Sequence, residues 1–210
     1  MATRYPTDAN DQLVYTLDES TQPYASSGTV SHNLEHYPVT GNSGPANVPG
    51  LFGSALEFFG GTHNDWFVYS GSGVQAVAET AANVTLSAWF WPRAIGTGKQ
   101  AIVTKHYYPV PAGFVSPYVS VALYVDAVGN FSGLITTSGT LHTLTGPLIT
   151  ARTWHHIGLS FDGTTAKLYA DGALVTSLAL SGVIDYGSHG FWSIGGDRSE
   201  SCLLYTSDAA

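Results

Sequence analysis

The sequence predicts an all-β fold, and three observations support this prediction. Only 10% of the 210 residues are charged, against about 25% in an average soluble domain. Glycine and aromatic residues are abundant, with 24 Gly, 12 Tyr, 9 Phe and 5 Trp, which suits strands joined by tight turns. Apolar and polar residues alternate with period two over most of the chain, the pattern of half-buried strands. Many short strands at near-regular spacing indicate a sandwich or a barrel.

The alternation is clearest in three segments, 83–92, 117–126 and 154–162. In the first segment, one predicted face carries Val84, Leu86, Ala88 and Phe90, and the other carries Thr85, Ser87, Trp89 and Trp91. The second and third segments likewise have one aliphatic face and one mixed face of aromatic and small polar residues. This pattern favours two sheets packed face to face, with one face of each in the core and the other wet or partly covered.

The remaining strands are predicted from shorter stretches of the same composition. They cover residues 13–18, 54–60, 65–70, 101–106, 131–137, 141–145, 173–180 and 190–196. Turn residues separate them, including Gly60-Gly61, Gly129-Asn130, Asp162-Gly163 and Asp171-Gly172. No stretch predicts a full helix, although residues 75–83 could form one turn. No apolar run is long enough for a membrane-spanning helix.

The segment 154–172 contains two adjacent histidines and two aspartates, which raises the question of a metal or acid–base site. Successive side chains of a strand point to opposite faces, so His155 and His156 cannot both ligate one ion without distortion. Asp162 and Asp171 each precede a glycine, which is the residue pair of a tight turn. The sequence therefore favours a strand meander that serves as scaffold.

Several motifs resemble one known family. They are GLFGSALEFFGG (50–61), NVTLSAWFWPR (83–93), IVTKH (102–106), TWHHIGLSFDGTTAKLYADGALV (153–175) and WSIGG (192–196). In order and spacing they resemble the laminin-G-like, concanavalin A-like lectin/glucanase jelly roll over residues 12–197. The resemblance implies an antiparallel β-sandwich with one concave sheet. It also implies binding of sugar or protein, in many members together with one calcium ion. Because Trp89 and the segment 154–156 match the family pattern, the resemblance implies that these residues have a structural role.

The C-terminal segment departs from the family pattern. After residues 192–196 the family continues to a last strand, whereas this chain runs into SCLLYTSDAA, which includes the single cysteine, Cys202. The run CLLYTSDAA resembles a translated sequencing adapter found in assembled environmental reads. We therefore expect a jelly roll that lacks its last strand, with an N-terminal arm at 1–11, the domain at 12–201 and a non-native tail at 202–210.

Two groups of aromatic residues are candidates for ligand binding. The connection 106–118 contains Tyr107, Tyr108, Phe114 and Tyr118 together with three prolines, and a loop stiffened by proline loses little entropy on binding. The mixed strand faces contribute Trp89 and Trp91, and with Tyr118, Tyr124 and Trp154 they could form a platform on which sugar rings stack. The alternative for both groups is that the aromatic side chains fold over the sheet and are buried.

Catalytic and metal motifs are weak. No two acidic residues stand two apart in the chain, and the isolated Glu57 and Asp126 fall in different strands, so a pair of carboxylates flanking one glycosidic bond is not predicted. His32–His36 match H-x-x-E-H, but the surrounding residues are too broken for the helix that this zinc motif needs. Oxygen donors for calcium occur in predicted loops, at Asn64, Asp65, Asp126, Asp185 and Asp197.

Two hypotheses of function remain. The first is a non-catalytic, lectin-like module that binds a glycan or another surface polymer. The second is a structural or adhesive component of a phage particle, which would bind other virion proteins. A net charge of −8 argues against a nucleic-acid partner. The polar N-terminus lacks the apolar run of a signal peptide. From the type of fold that the resemblance implies, we nevertheless expect the protein outside cells or on a virion surface.

A degenerate glycoside hydrolase is a third, weaker hypothesis of function.

Overall fold

A computed structural model describes most of the chain between residues 45 and 196 and short segments outside it. The described residues are 24–25, 27, 33–36, 45–58, 67–69, 82–95, 98–107, 116–187, 192–196 and 208–209. They form strands and turns without a helix, so this part of the chain offers no helix that could cross a membrane.

The strands, in chain order, begin with short N-terminal pieces and continue with longer ones. They are β1 (Tyr24–Ala25), β2 (Asn33–His36), β3 (Ala46–Gly50), β4 (Gly53–Glu57), β5 (Phe67–Tyr69), β6 (Val84–Trp91), β7 (Gln100–His106), β8 (Val119–Val125), β9 (Asn130–Thr137), β10 (Thr140–Leu148), β11 (His155–Phe161), β12 (Thr165–Ala170), β13 (Ala173–Ala179), β14 (Trp192–Ile194) and β15 (Asp208–Ala209).

The strands make two antiparallel sheets. One sheet has the order β1-β2-β5-β14-β7-β8-β9-β10, and the other has the order β13-β12-β11-β6-β15-β4-β3. The core lies between them, because its buried side chains come from both sheets: Ile102, Val121, Leu123, Phe131 and Ile135 from the eight-stranded sheet, and Phe90, Ile157, Leu159, Phe161 and Leu168 from the seven-stranded sheet. The predicted class, an all-β antiparallel sandwich, is confirmed.

Local sequence signals account for most of the elements. Val84, Leu86, Ala88 and Phe90 face the core, as the alternation predicts. The hairpin β12–β13 closes on Asp171 and Gly172, with φ values of 49° and 82° between the paired residues Ala170 and Ala173. Two consecutive positive φ values define a type I′ turn, which Asp-Gly adopts at low cost. Strands β1 and β2 and the strand at 46–50 were not predicted, because they are short or contain proline.

The two sheets pack closely against each other at Gly133 of β9. A Cβ atom there would lie 2.9 Å from Leu168 Cδ1 and 3.0 Å from Leu159 Cδ1. Glycine at this position therefore lets the leucines of the opposite sheet pack against the backbone of β9, and the close packing of the core depends on it.

Two residues of the tail form strand β15, which lies between β6 and β4 in the seven-stranded sheet. Asp208 pairs with Trp91, and Ala209 pairs with Phe90 and Leu56. The rest of the segment 197–210 lies outside the described residues, as do the predicted strand at 13–18 and residues 75–81 of the possible helical turn. The assignment of 202–210 as a non-native tail and of 1–11 as an arm stays a prediction.

Candidate functional site

The outer face of the seven-stranded sheet carries a group of aromatic side chains. Alternation along β6 turns Trp89 and Trp91 away from the core that receives Phe90. His156 is paired with Trp89, and it therefore lies on the same outer face. On β12 the core residues Ala166 and Leu168 leave Tyr169 on the outer face. We call the surface formed by Phe52, Trp89, Trp91, His156 and Tyr169 the aromatic face.

Three of these rings form a continuous row. Phe52 stands in the two-residue turn between β3 and β4, and its ring meets Trp89 edge-on, with centroids 6.0 Å apart and an interplanar angle of 81°. His156 packs on Trp89, with ring centroids 5.0 Å apart. Phe52 is 48% exposed, while Trp89, Trp91 and His156 are half-buried. The strands hold Trp89 and His156 in place, and all three rings leave part of their area open to solvent.

A glycine lies between the aromatic residues of this face. Gly158 of β11 is paired with Ser87 on one side and with Tyr169 on the other. A Cβ atom at Gly158 would be 3.9 Å from Ser87 Cβ, 3.8 Å from Tyr169 Cβ and 3.5 Å from the nearest backbone oxygen, which are ordinary contacts. The neighbouring chain therefore does not require glycine here, in contrast to Gly133. Beyond Tyr169, Leu174 extends the face and is 55% exposed.

Hydrogen bonds beneath the row fix the two histidines. His155 Nδ1 lies 3.0 Å from Asp171 Oδ2, and His155 Nε2 lies 3.1 Å from the carbonyl oxygen of Thr150. The backbone nitrogen of His156 donates to Asp171 Oδ1 over 2.8 Å. The ring of His155 packs beside Phe90, with centroids 5.8 Å apart, whereas His156 packs on Trp89. The prediction that the two histidines point to opposite faces is confirmed.

The charges of this network follow from its contacts. Partial burial alone would raise the pKa of Asp171, but hydrogen bonds from His155 and from the backbone of His156 outweigh it and lower the pKa. Burial lowers the pKa of His156, and the nearby Asp171 carboxylate offsets only part of this effect. At neutral pH Asp171 is therefore charged and His156 is neutral, so His156 offers the aromatic face an uncharged ring.

The two acidic residues singled out by the sequence, Glu57 and Asp126, do not form a hydrolytic pair. Glu57 lies on β4 of the seven-stranded sheet and forms an ion pair with Arg93. Asp126 follows β8 of the eight-stranded sheet, where its carboxylate accepts hydrogen bonds from the backbone of Val128 and Asn130. The two carboxylates belong to different sheets, so they cannot flank one glycosidic bond.

The outer face of the eight-stranded sheet is different, because it is buried along β8 and β9. Tyr124 is 9% exposed and packs with Val119, Ala122 and Leu134 in a second apolar cluster. Around this cluster lie buried hydroxyl groups from Thr104, Ser120, Ser132, Thr136 and Ser193. Three of them, on Thr104, Ser120 and Ser132, have no hydrogen-bond partner among the described residues. We call this surface, with its apolar cluster, the buried face.

The structure divides the predicted ligand-binding residues between the two sheets. Trp89 and Trp91 lie on the aromatic face, whereas Tyr118 stands at the start of β8 and Tyr124 lies within the buried face. The suggested platform of Trp89, Trp91, Tyr118, Tyr124 and Trp154 is therefore not one surface, since the core separates its two parts. For Tyr124 the alternative of burial is confirmed.

The ends of the predicted recognition loop are described, but its middle is not. Tyr107 is half-buried, and its backbone nitrogen donates to the carbonyl oxygen of Tyr118 over 2.9 Å. Tyr118 is 40% exposed. Tyr108 and Phe114 lie outside the described residues. Binding by this loop stays a prediction.

The metal candidates do not converge where they are described. Asp126 binds its own turn, and Asp185 accepts a hydrogen bond from the backbone of Gly139. Asn64, Asp65 and Asp197 lie outside the described residues, within which no group of three or more His, Cys, Asp or Glu side chains could hold a metal ion. Asn33–His36 of the H-x-x-E-H match form strand β2, so these residues do not present the helical face that the zinc motif requires. Calcium binding stays a prediction.

Sequence reasoning missed Phe52, His156, Gly158 and Tyr169 as parts of a surface. Two signals were available. Leu51 and Phe52 are large apolar residues in a turn between Gly50 and Gly53, and Gly158 interrupts an otherwise regular strand. The contact between Phe52 and Trp89 joins residues 37 positions apart in the sequence, and only the sheet order brings them together.

Comparisons with known proteins agree on the fold. A family model described as the concanavalin A-like lectin/glucanases superfamily matches residues 64–204. No curated protein sequence matches the chain.

Similar solved structures include a carbohydrate-binding module, the binding domain of a mosquitocidal protein and a sialidase. The module, CBM40 of the Ruminococcus gnavus IT-sialidase bound to α2,3 sialyllactose, has a TM-score of 0.58 at 16% identity, over 73% of this chain and 83% of that one. The binding domain of Paraclostridial Mosquitocidal Protein 1 has a TM-score of 0.64 at 14% identity, over 94% of this chain and 47% of that one. A Trypanosoma rangeli sialidase has a TM-score of 0.61 at 14% identity, over 94% of this chain and 29% of that one. At these identities the likeness shows a shared fold.

Proposed function

The chain belongs to the concanavalin A-like lectin/glucanases superfamily, and from this premise we propose that it is a non-catalytic module that binds glycans. The observation that carries the proposal is the row of Phe52, Trp89 and His156 on the outer face of the seven-stranded sheet. Sugar rings present C–H faces that pack on aromatic rings, and rings held by a sheet lose little entropy when a ligand binds.

A polar group beside the row can form hydrogen bonds with a glycan. Ser87 is exposed next to the row, and its hydroxyl can donate and accept hydrogen bonds. Specificity for a sugar depends on a few such polar groups beside the apolar contact. The separation of Glu57 from Asp126 supports a module that binds without cleaving. The alternative of a virion component gains no support from the structure or from the similar proteins.

Glycan-array screening tests the proposal, and substitutions locate the surface. We expect a restricted set of glycans to bind. We expect Trp89→Ala to weaken their binding by about tenfold or more, because the ring in the middle of the row is lost. Tyr118→Ala is the matched control, since it removes an exposed aromatic side chain from the other sheet and should leave affinity unchanged.

Three outcomes would redirect or overturn the proposal. Equal, weak binding to all glycans, with a cooperative unfolding transition confirming the fold, would overturn glycan binding. Loss of affinity in Tyr118→Ala alone would move the site to the loop 106–118. Turnover of a bound glycan would show that the module is catalytic. Repeating the array with a chelator tests the calcium requirement that the family resemblance implies.

A further inference from the structure

The ring of His155 lies where the chain passes from one sheet to the other. The connection 149–154 leads from β10 of the eight-stranded sheet to β11 of the seven-stranded sheet, and His155 is the first residue of β11. The side chain of His155 is 13% exposed and packs beside Phe90 of β6. Its two ring nitrogens point to two further segments, the β12–β13 turn and the connection, so one side chain contacts three parts of the fold.

Asp171 determines which ring nitrogen of His155 always carries a proton. Asp171 Oδ2 lies 3.0 Å from His155 Nδ1. Although partial burial opposes it, hydrogen bonds lower the pKa of Asp171, so its side chain is a carboxylate at neutral pH. A carboxylate only accepts hydrogen bonds, so Nδ1 donates whether the ring carries one proton or two. In the neutral ring Nε2 therefore has a lone pair, and in the charged ring it has a proton.

The other nitrogen, Nε2, meets both a donor and an acceptor of one residue. The backbone nitrogen of Thr150 can donate to Nε2 over 3.3 Å, and the carbonyl oxygen of Thr150 lies 3.1 Å from Nε2. The neutral ring accepts from the N–H and repels the carbonyl oxygen. The charged ring donates to the carbonyl oxygen and cannot accept from the N–H. A proton on Nε2 therefore exchanges one hydrogen bond for the other.

We propose that His155 is a proton-controlled clamp on the connection 149–154: its neutral ring accepts from the N–H of Thr150, and its charged ring donates to the carbonyl oxygen of Thr150. The proton comes from solvent. The clamp changes the bonding of Thr150 and leaves the rest of the connection attached, because the backbone nitrogen of Arg152 donates to the carbonyl oxygen of Pro92 over 2.7 Å. Neither of these two backbone groups titrates.

The elements packed against the ring contribute few titratable or charged groups. Asp171 is the one on the β12–β13 turn, Arg152 is the one in the connection, and β6 has none. His156 follows on the same strand, but its ring lies on the opposite face and packs on Trp89. A response of Thr150 to pH can therefore be assigned by substituting one histidine at a time.

An NMR titration of the wild-type protein from pH 8 to pH 5, the range in which histidine changes its charge, tests the clamp. At pH 8 we expect the nitrogen spectrum of the His155 ring to show its proton on Nδ1, and a proton on Nε2 instead would overturn the proposal. As the ring takes up its second proton, we expect the hydrogen-exchange protection of the Thr150 amide, corrected for the intrinsic rate, to fall by about fivefold, as for the loss of one ordinary hydrogen bond. The Arg152 amide should keep its protection. A Thr150 amide that does not respond in step with the His155 ring would overturn the clamp.

Two variants separate the clamp from other effects of pH. His155→Gln has no titratable ring, so the response of the Thr150 amide should disappear. His156→Gln is the matched control, because it removes the neighbouring imidazole on the opposite face and should leave the response unchanged. A response that persists in folded His155→Gln, or that is lost in His156→Gln, would assign it to another group and overturn the clamp. If His155→Gln does not fold, the position of the ring proton in the wild type and the titration of His156→Gln still decide.

Discussion

The two outer faces of the sandwich differ in what covers them. On the eight-stranded sheet, every residue of β8 is buried, and its outward side chains pack in the apolar cluster around Tyr124. On the seven-stranded sheet, β6 keeps the predicted alternation, with exposed Thr85 and Ser87 on its outer side. The same period-two sequence pattern therefore gives a closed surface on one sheet and an open one on the other. Of the aromatic residues on β6 and β8, Trp89 and Trp91 are therefore open to a ligand, whereas Tyr124 is not.

The largest expected effect comes from placing the same charge on both outer faces. Ala122→Asp puts a carboxylate into the apolar cluster of the buried face, where Ala122 is 2% exposed. An unpaired buried charge is costly, so we expect the free energy of unfolding to fall by about 3 kcal/mol or more. Urea denaturation measures this change.

Ser87→Asp is the matched variant on the aromatic face. Ser87 is exposed, so the new carboxylate remains hydrated, and we expect a loss of about 1 kcal/mol or less from the low strand propensity of aspartate. If both variants lose the same stability, the distinction between a buried and an open face is wrong.

A smaller effect is expected from giving a methyl group to the two strand glycines. Gly133→Ala forces Leu159 and Leu168 to move, and overpacking of this kind costs about 1–3 kcal/mol. Gly158→Ala meets no close neighbour, and we expect a gain of up to about 1 kcal/mol, because alanine has less conformational freedom to lose. Paired thermal and urea unfolding would measure both changes. A marked loss in Gly158→Ala would show that this glycine, like Gly133, serves packing.

The smallest effect concerns pH and the aromatic row. The folded-state pKa of His156 lies below its unfolded value of about 6.5, so the unfolded state takes up this proton more readily. Stability should therefore decrease as pH falls below about 6.5, and be unaffected by this group above it. Because His156 is only half-buried, we expect less than about 1 kcal/mol. Melting curves from pH 8 to pH 5 should show a smaller decrease in His156→Gln than in the wild type. Equal slopes would contradict the assignment.

The sequence by itself determined the class of the fold and much of its local structure. Alternation identified the core face of β6, because a strand has only two faces and Val84, Leu86 and Phe90 share one of them. The pair Asp171-Gly172 specified its turn, since positive φ at both positions excludes most other residues. The same alternation placed His155 and His156 on opposite faces of one strand, and side chains on opposite faces cannot share a metal ion.

Only the tertiary structure decided which aromatic residues share a surface. Period two assigns a residue to one face of its strand, but it carries no information about the sheet to which the strand belongs or about what covers that face. Trp89 and Tyr124 have the same local pattern, yet one is half-exposed on the seven-stranded sheet and the other is buried on the eight-stranded sheet. The contacts of Phe52 with Trp89 and the different surroundings of Gly133 and Gly158 likewise depend on strand order and on the packing of the two sheets.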